Sequence, residues 1–134
     1  MKNLLVFPIF SILMFALIAP VSAQSVINQS MLLQESERRS KSQKRSDYVG
    51  IYEYRDTQRK PGLITLDMDG TATTNKDKEL VGTWRFKDDR VYIQWDNGWK
   101  DIIQKAGPRY RKMSYEPGVS FAEKPSKVIK IKKI

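Results

Sequence analysis

The sequence VGTWRFKDDRVYIQWDNGWKDII, from Val81 to Ile103, contains all three tryptophans of the chain and its clearest strand pattern. Apolar and polar residues alternate on both sides of Asp88-Asp89, which predicts two antiparallel strands joined by a two-residue hairpin loop. In that register Lys87 pairs with Arg90, and large apolar side chains share one face of the hairpin. We expect this face to be core; its members are Trp84, Phe86, Val91, Ile93 and Trp95.

The turn Asp96-Asn97-Gly98 allows two geometries. A two-residue loop at Asn97-Gly98 pairs Trp95 with Lys100 and leaves Trp99 exposed, where it can stack on a sugar ring. A three-residue loop with Gly98 in the left-handed conformation pairs Trp95 directly with Trp99, in the core or at a barrel mouth. The pattern does not choose between them, although aromatic side chains of small β domains are core more often than ligand contacts.

Turn signals divide the remainder of the central region into short strands, and no helical pattern interrupts them. Asp69-Gly70 reads as a two-residue hairpin turn, residues 76–78 as a further turn, and Pro117-Gly118 as another. About eight antiparallel strands result between Asp47 and Glu123, and such a meander closes into a barrel or a two-sheet sandwich to cover its edges. Besides those of the central stretch, the predicted strands are residues 48–55, 63–68, 71–75, 109–115 and 119–122.

A short internal similarity links the two halves of this region. The sequence Val49-Gly50-Ile51-Tyr52 recurs as Val81-Gly82-Thr83-Trp84, and each copy leads to an acidic turn that ends in glycine, at Gly70 and at Gly98. We interpret this as one supersecondary unit used twice. Gly82-Thr83-Trp84, with Gly50-Ile51-Tyr52 as an earlier copy and the hairpins around them, resembles the small lipocalin-like, or calycin-like, β-barrels of secreted bacterial proteins. The resemblance covers residues 47–122.

The first 23 residues have the pattern of a signal peptide. Lys2 is followed by an apolar run from Leu4 to Ile18, then by Pro20 and the small-residue site Val21-Ser22-Ala23. The run is shorter than the roughly 20 apolar residues of a membrane span, so we expect cleavage after Ala23 rather than a transmembrane anchor. The expected location is secreted or periplasmic.

Cysteine and histidine are both absent. This composition excludes disulfide scaffolds, thiolate nucleophiles, Ser-His-Asp triads and most zinc, copper and haem sites, and we expect neither metal nor cofactor. The segment Asp67 to Thr71 opens like a calcium loop, but it lacks the remaining ligands, and a hairpin turn explains it. A carboxylate-based hydrolase would draw its pair from Glu53, Asp67, Asp69, Asp96, Asp101 and Glu116.

The formal net charge of +9 comes from the ends of the chain. Acidic and basic residues balance between Asp47 and Glu123, which, with the predicted export, argues against nucleic acid as a partner. Residues 24–46 are polar and basic, and we favour a solvated linker over a short helix there. Residues 124–134, KPSKVIKIKKI, form either an edge strand or a free basic tail that contacts an anionic envelope component through Lys124, Lys127, Lys130, Lys132 and Lys133.

These observations predict an exported monomeric domain that binds a small ligand, a glycan or an envelope partner without catalysis. The candidate ligand contacts are the aromatic side chains Tyr52, Trp84, Trp95 and Trp99. The alternatives are a structural or assembly accessory protein that acts through its basic ends, and a hydrolase that uses two carboxylates.

Overall fold

The computed structural model of the chain describes residues 19–76 and 79–134. Most of the signal peptide predicted for residues 1–23 and most of the turn predicted at residues 76–78 lie outside these ranges. Both therefore stay predictions. The chain divides into two units, with the boundary between Arg38 and Arg39.

Residues 24–46 belong to a helix, α1, which runs from Ala19 to Ser46. Of the two predicted alternatives the helix is therefore the one that forms, and its many Gln, Glu, Lys and Arg residues have high helix propensity even without a continuous apolar stripe. Val26, Ile27 and Met31 on this helix are more than half exposed. Within the part of the chain that the structure describes, no helix is long and apolar enough to cross a membrane.

In the part of the chain that the structure describes, eight antiparallel strands follow the helix, and each pairs with the next along the chain. The last strand pairs with the first, so the sheet closes into a barrel, as one of the two predicted architectures requires. The strands are β1 (Gly50–Arg55), β2 (Pro61–Leu66), β3 (Thr71–Thr74), β4 (Leu80–Lys87), β5 (Arg90–Trp95), β6 (Lys100–Ala106), β7 (Arg109–Tyr115) and β8 (Lys127–Lys133).

The central hairpin is confirmed residue by residue. Lys87 pairs with Arg90, Phe86 with Val91 and Trp84 with Ile93 across β4 and β5. The predicted apolar face lies inside the barrel, where Val91 and Ile93 are fully buried and Trp84 and Trp95 nearly so. This face therefore belongs to the core of the barrel.

The eighth strand is not the predicted segment 119–122, which forms turns, but the lysine-isoleucine tail. In β8 the apolar Ile129 and Ile131 point inward, while Lys130 and Lys132 are exposed. The tail pairs with β7 over five residues and with β1 over three. Lys133 adds a hydrogen bond from its Nζ to the backbone oxygen of Asp47, at 2.5 Å. Since β8 closes the barrel, the tail is a strand and not a free arm.

The two acidic glycine turns have the same geometry. In each, a three-residue loop ends in a left-handed glycine, Gly70 at φ 92° and Gly98 at φ 89°. Each loop has matching backbone hydrogen bonds and an Asx bond, from Thr71 N to Asp69 Oδ1 and from Trp99 N to Asn97 Oδ1. The prediction of a two-residue turn at Asp69-Gly70 was wrong, because the Asp67 backbone N–H donates to the Thr71 oxygen at 2.9 Å and this pair leaves three residues, 68–70, in the loop.

One end of the barrel is plugged, and we call it the closed end; it carries the 67–70 and 88–89 turns. The Tyr48 ring lies between Phe86 and Tyr110, with centroids 5.6 and 5.8 Å away. Its hydroxyl donates to the Asp89 backbone oxygen at 2.8 Å and accepts from the Lys105 backbone N–H at 3.2 Å. The opposite end, which carries the 56–60 and 96–98 turns, we call the open end.

Replacing Asp89 with glycine should raise the free energy of unfolding by about 0.5 kcal/mol. Asp88 and Asp89 have φ values of 52° and 58°, a turn that favours glycine at its second position. The substitution removes an ion pair with Lys44 at 3.3 Å, but both side chains are more than half exposed and the pair is worth little. Urea unfolding measures the change. Asp89→Ala, the matched control, should lower stability by about 1 kcal/mol, and equal instability of both variants would contradict the turn's role.

Candidate functional site

A cavity of about 570 Å³ opens at the open end of the barrel. Its apolar surfaces come from strands on several sides, among them Tyr54, Ile64, Leu80 and Ile129. Its volume lies in the range of small-molecule sites, which are concave, largely apolar and furnished with a few polar groups.

Trp95 and Trp99 both line this cavity. The three-residue loop makes them direct partners, since the Trp95 backbone N–H donates to the Trp99 backbone oxygen at 2.9 Å. Of the two predicted geometries the second is therefore correct, with the pair at a barrel mouth. Trp95 is 4% exposed and lies deep, whereas Trp99 is 38% exposed and lies at the rim.

Two glycines make room for the aromatic walls. Gly62 lies opposite Tyr54 on the neighbouring strand, and Gly82 lies opposite Trp95. A Cβ at Gly62 would collide with the Tyr54 ring, and one at Gly82 would approach Trp95 Cε3 to 3.0 Å. Each ring thus covers the bare backbone of a glycine on the adjacent strand, an arrangement that keeps the ring against the barrel wall.

The polar part of the cavity is a buried cluster on β5, β6 and β7. Asp101 Oδ2 accepts a hydrogen bond from Trp95 Nε1 at 2.7 Å, and its Oδ1 accepts one from Ser114 Oγ at 2.6 Å. Lys112 Nζ lies 3.3 Å from Asp101 Oδ1 and donates to Ser114 Oγ at 2.9 Å. Asp101, Lys112 and Ser114 are each less than 9% exposed. We call Trp95, Asp101, Lys112 and Ser114 the polar cluster.

Burial lowers the pKa of Lys112 below its ordinary value, since the charged ammonium is removed from water. The Asp101 carboxylate opposes this shift, and the charges of Lys127 and Lys76 add to it. The Lys112 Nζ also lies 5.3 Å from the centroid of the Tyr54 ring, at cation–π distance. The Lys112 Nζ is therefore held in an enclosed site between one carboxylate and one aromatic face.

Further charges surround the mouth of the cavity. Lys76 Nζ lies 3.3 Å from Asp56 Oδ2. The backbone N–H of Lys60 and, to a smaller extent, Lys76 lower the pKa of Asp56, which keeps this carboxyl ionised. Glu116 and Lys127 also line the cavity. Acidic and basic groups therefore balance at the mouth, and inside the cavity Asp101 and Lys112 are the ionisable groups of the polar cluster.

The four aromatic residues predicted as ligand contacts separate into two pairs. Tyr52 and Trp84 are buried, and neither lines the cavity. Tyr52 donates to the Tyr48 backbone oxygen at 2.6 Å, and Trp84 Nε1 to the Asp67 backbone oxygen at 2.8 Å. Trp95 and Trp99 meet at the cavity. Sequence reasoning missed Lys112 and Ser114, and the signal that could have found them is the cross-strand pairing of Ser114 with Asp101, whose side chain faces inward.

The five lysines predicted as basic contacts are spread over different surroundings. Lys127 lines the cavity, and Lys133 is bonded to the backbone near the closed end. Lys130 and Lys132 point outward from β8. Lys124 lies in the segment before that strand.

Among the carboxylates considered for hydrolysis, Asp101 and Glu116 line the same cavity. Asp67 and Asp69 lie in a turn at the closed end, as the hairpin interpretation of the calcium-like segment requires. Among the described residues, no group of three or more acidic side chains is placed to hold a metal ion.

Comparisons with known proteins give no relationship on which to draw. No protein-family model matches the chain. No curated protein and no solved structure shows significant similarity to it.

Proposed function

We propose that this protein is a non-catalytic binding module that takes a small ligand into the open end of its barrel. The observation that carries the proposal is the polar cluster, a buried carboxylate and ammonium in the wall of a cavity of about 570 Å³. Lipocalin-like barrels, which the sequence resembles, are closed sheets of the same kind, and a lipocalin-like relationship is part of the proposal.

Burying the ionisable groups of the polar cluster inside a barrel of this size costs free energy of folding. Removing two charges from water costs several kcal/mol per ion, and apolar residues in their place often stabilise a protein. A barrel selected for stability alone would fill these positions with aliphatic side chains. Perturbed ionisable groups in a cavity are characteristic of functional sites. Among the described residues, every buried side-chain nitrogen and oxygen has at least one hydrogen-bond partner, so the cluster is held in place by its own contacts before a ligand arrives.

The cluster and its surroundings favour a particular ligand chemistry. An ammonium has three N–H donors, and Lys112 directs two of them to Asp101 and Ser114. The third can serve an acceptor on the ligand, such as a carbonyl, carboxylate or sulfonate. The rings of Tyr54, Trp95 and Trp99 suit a planar or ring-shaped body. We therefore expect a ring compound with one acceptor group, and a glycan fits this description less well because it offers many polar groups.

Trp99→Ala should weaken binding of such a ligand about tenfold, because stacking on one aromatic ring is worth about 1.5 kcal/mol. The probe is 8-anilinonaphthalene-1-sulfonate, which combines aromatic rings with one sulfonate. Its binding is measured through energy transfer from tryptophan and confirmed by calorimetry.

Tyr92→Ala is the matched control, since Tyr92 packs on Phe121 outside the cavity, with centroids 5.1 Å apart. It should leave the affinity unchanged. Equal weakening by both variants, or a preference for neutral oligosaccharides over aromatic acids in a competition panel, would contradict the proposed ligand class.

Asp101 and Glu116 together support the hydrolase alternative, because both line one cavity. Against catalysis, both oxygens of Asp101 already accept hydrogen bonds from neighbouring side chains. Hydrolysis of a chromogenic glycoside or ester by the intact protein, abolished by Glu116→Gln, would favour the enzyme over the binding module.

Export completes the proposal. The mature chain would begin at Gln24 and act as a monomer outside the cytoplasm. Intact mass of the protein recovered from the periplasm or medium tests this, and a full-length product retained in the cytoplasm would reject it.

A further inference from the structure

The outer side of β7, β8 and β1 carries a concentration of exposed cations. We call Arg55, Arg109, Arg111, Lys130 and Lys132 the basic face. Every one of these side chains is exposed. Side chains two residues apart on a strand lie about 7 Å apart, and neighbouring strands lie about 5 Å apart, so the face is a compact grid of charge.

A groove of about 920 Å³ runs over this part of the barrel, and Arg55, Arg109, Lys130 and Lys132 line it. Glu53 is the acidic residue in its lining, and it is paired across the strands with Lys132. The strong positive charge therefore lies in a concave surface, where a bound chain would meet cations from both sides.

This arrangement works against the stability of the sheet. Arg111 lies directly opposite Lys130, and like charges in that relation are destabilising. Arg111 instead donates to Gln104 Oε1 at 3.3 Å. A second directly opposed pair, Lys87 and Arg90, flanks Asp88 and Asp89, which supply compensating negative charge. The basic face has no such compensation beyond Glu53.

The composition of the face points to one class of partner. Arginine presents a planar fork that binds phosphate oxygens in pairs, and three of the five cations are arginines. Glu53 and Val128 lie between the residues of the basic face. Tyr54 and Tyr110 also line the groove, but Tyr54 is buried and Tyr110 is half-buried against the core, so neither presents the exposed ring that stacks on nucleobases. A membrane surface is flat, whereas four of these five cations line a groove.

We propose that the basic face binds a linear polymer of phosphate groups, held along the groove by its charge and without base recognition. This binding is separate from the ligand cavity, whose lining shares none of the five cations of the face. The partner would be an anionic polymer of the surroundings into which the protein is exported.

The test uses the full-length mature protein, inorganic polyphosphate of defined length as the probe, and calorimetry over a series of salt concentrations. The triple variant Arg109→Gln/Arg111→Gln/Lys130→Gln should weaken binding about 100-fold at about 50 mM salt. The slope of log K against log salt should fall by about two, because three fewer phosphates are neutralised. The melting temperature should stay the same or rise, since a like-charge pair has been removed.

The matched control is Arg85→Gln/Lys87→Gln/Arg90→Gln, which also removes two arginines, one lysine and a directly opposed cation pair. It should leave the affinity within about twofold of the unmodified protein. Equal weakening by the two triple variants would show that binding depends on the total charge of the protein and not on the position of the basic face. That result would overturn the proposal.

Two further probes address other anions. Vesicles with anionic lipid at the same phosphate concentration should bind less tightly than polyphosphate, as should polygalacturonate at the same charge concentration. Tighter binding of vesicles would make the face a membrane contact, and tighter binding of polygalacturonate would make carboxylate the recognised group. Either result would overturn the proposal.

Discussion

Replacing Asp101 with asparagine should lower the free energy of unfolding by about 3 to 5 kcal/mol at pH 7. The side chains of Asp101 and Lys112 are 7% and 10% exposed, so the variant leaves a buried ammonium without its anion. Removing one partner of such a pair is far costlier than removing both. Urea unfolding followed by circular dichroism measures the loss, with the unmodified protein as reference.

The pH dependence of this loss follows from Lys112. Burial already lowers the pKa of this lysine relative to the unfolded chain, and without Asp101 the shift becomes larger. Between the lowered folded pKa and the ordinary value of 10.5 the unfolded state binds more protons, so stability rises with pH in that window. The difference between the variant and the unmodified protein should therefore narrow as the pH rises through the lowered pKa values of Lys112 in the two folded proteins, which a scan from about pH 7 to about pH 9.5 follows. The scan stops there because burial raises the pKa of Tyr48 and Tyr52 above the ordinary value of 10.0, so at higher pH they ionise in the unfolded state first and lower the stability of both proteins.

A double variant separates loss of the ion pair from loss of packing. In Asp101→Asn/Lys112→Met the asparagine carbonyl can accept from Trp95 while its amide donates to Ser114, and no charge remains buried. Most of the lost stability should return. If the double variant is as unstable as Asp101→Asn alone, Lys112 is not the source of the penalty, and the buried pair contributes by shape rather than by charge.

The local parts of the fold could be predicted from the sequence, because their signals lie within a few residues. Alternation around Asp88-Asp89 fixed the register of β4 and β5, and that register is confirmed. The sequence does not decide whether residues 127–133 form a strand or a free tail, since the partner strand β1 lies more than 70 residues earlier and no local signal indicates the pairing. The segment 119–122 also has a strand-like sequence, but it forms turns. The strand that pairs with both β7 and β1, and so closes the barrel, is β8.

The candidate site was predicted in part. Trp95 and Trp99 were expected at a barrel mouth if the loop had three residues, but the loop length depends on how β5 and β6 pair. The sequence does not identify Lys112, because RYRKMSY has polar residues at both alternating sets of positions. The pattern therefore does not show which side chains of β7 point into the barrel. Once Trp95 pairs with Trp99, however, parity places Asp101 inside the barrel, and an inward carboxylate predicts an inward cation.

Replacing Gly82 with alanine should lower the free energy of unfolding by about 3 kcal/mol. An added Cβ would overlap the backbone oxygen of Gln94 and lie 3.1 Å from its carbonyl carbon, on the strand paired with β4. Backbone atoms cannot turn aside as the tip of a flexible side chain can, so β4 and β5 would have to separate where the core is fully packed. The same Cβ reaches Trp95 Cε3 at 3.0 Å and would push the indole away from Asp101.

Gly107→Ala is the matched control for this substitution, because no atom lies within 4 Å of a Cβ built at Gly107. Its φ of 62° makes alanine strained, and the control should lose about 1 kcal/mol from that strain alone. The near-ultraviolet circular dichroism of tryptophan should change in the Gly82 variant and stay unchanged in the control, since Trp95 moves in the first alone. Equal losses of stability with unchanged tryptophan spectra would mean that Gly82 is required for its backbone conformation and not to make room for the Trp95 ring. The position of Trp95 in the cavity wall would then not depend on Gly82.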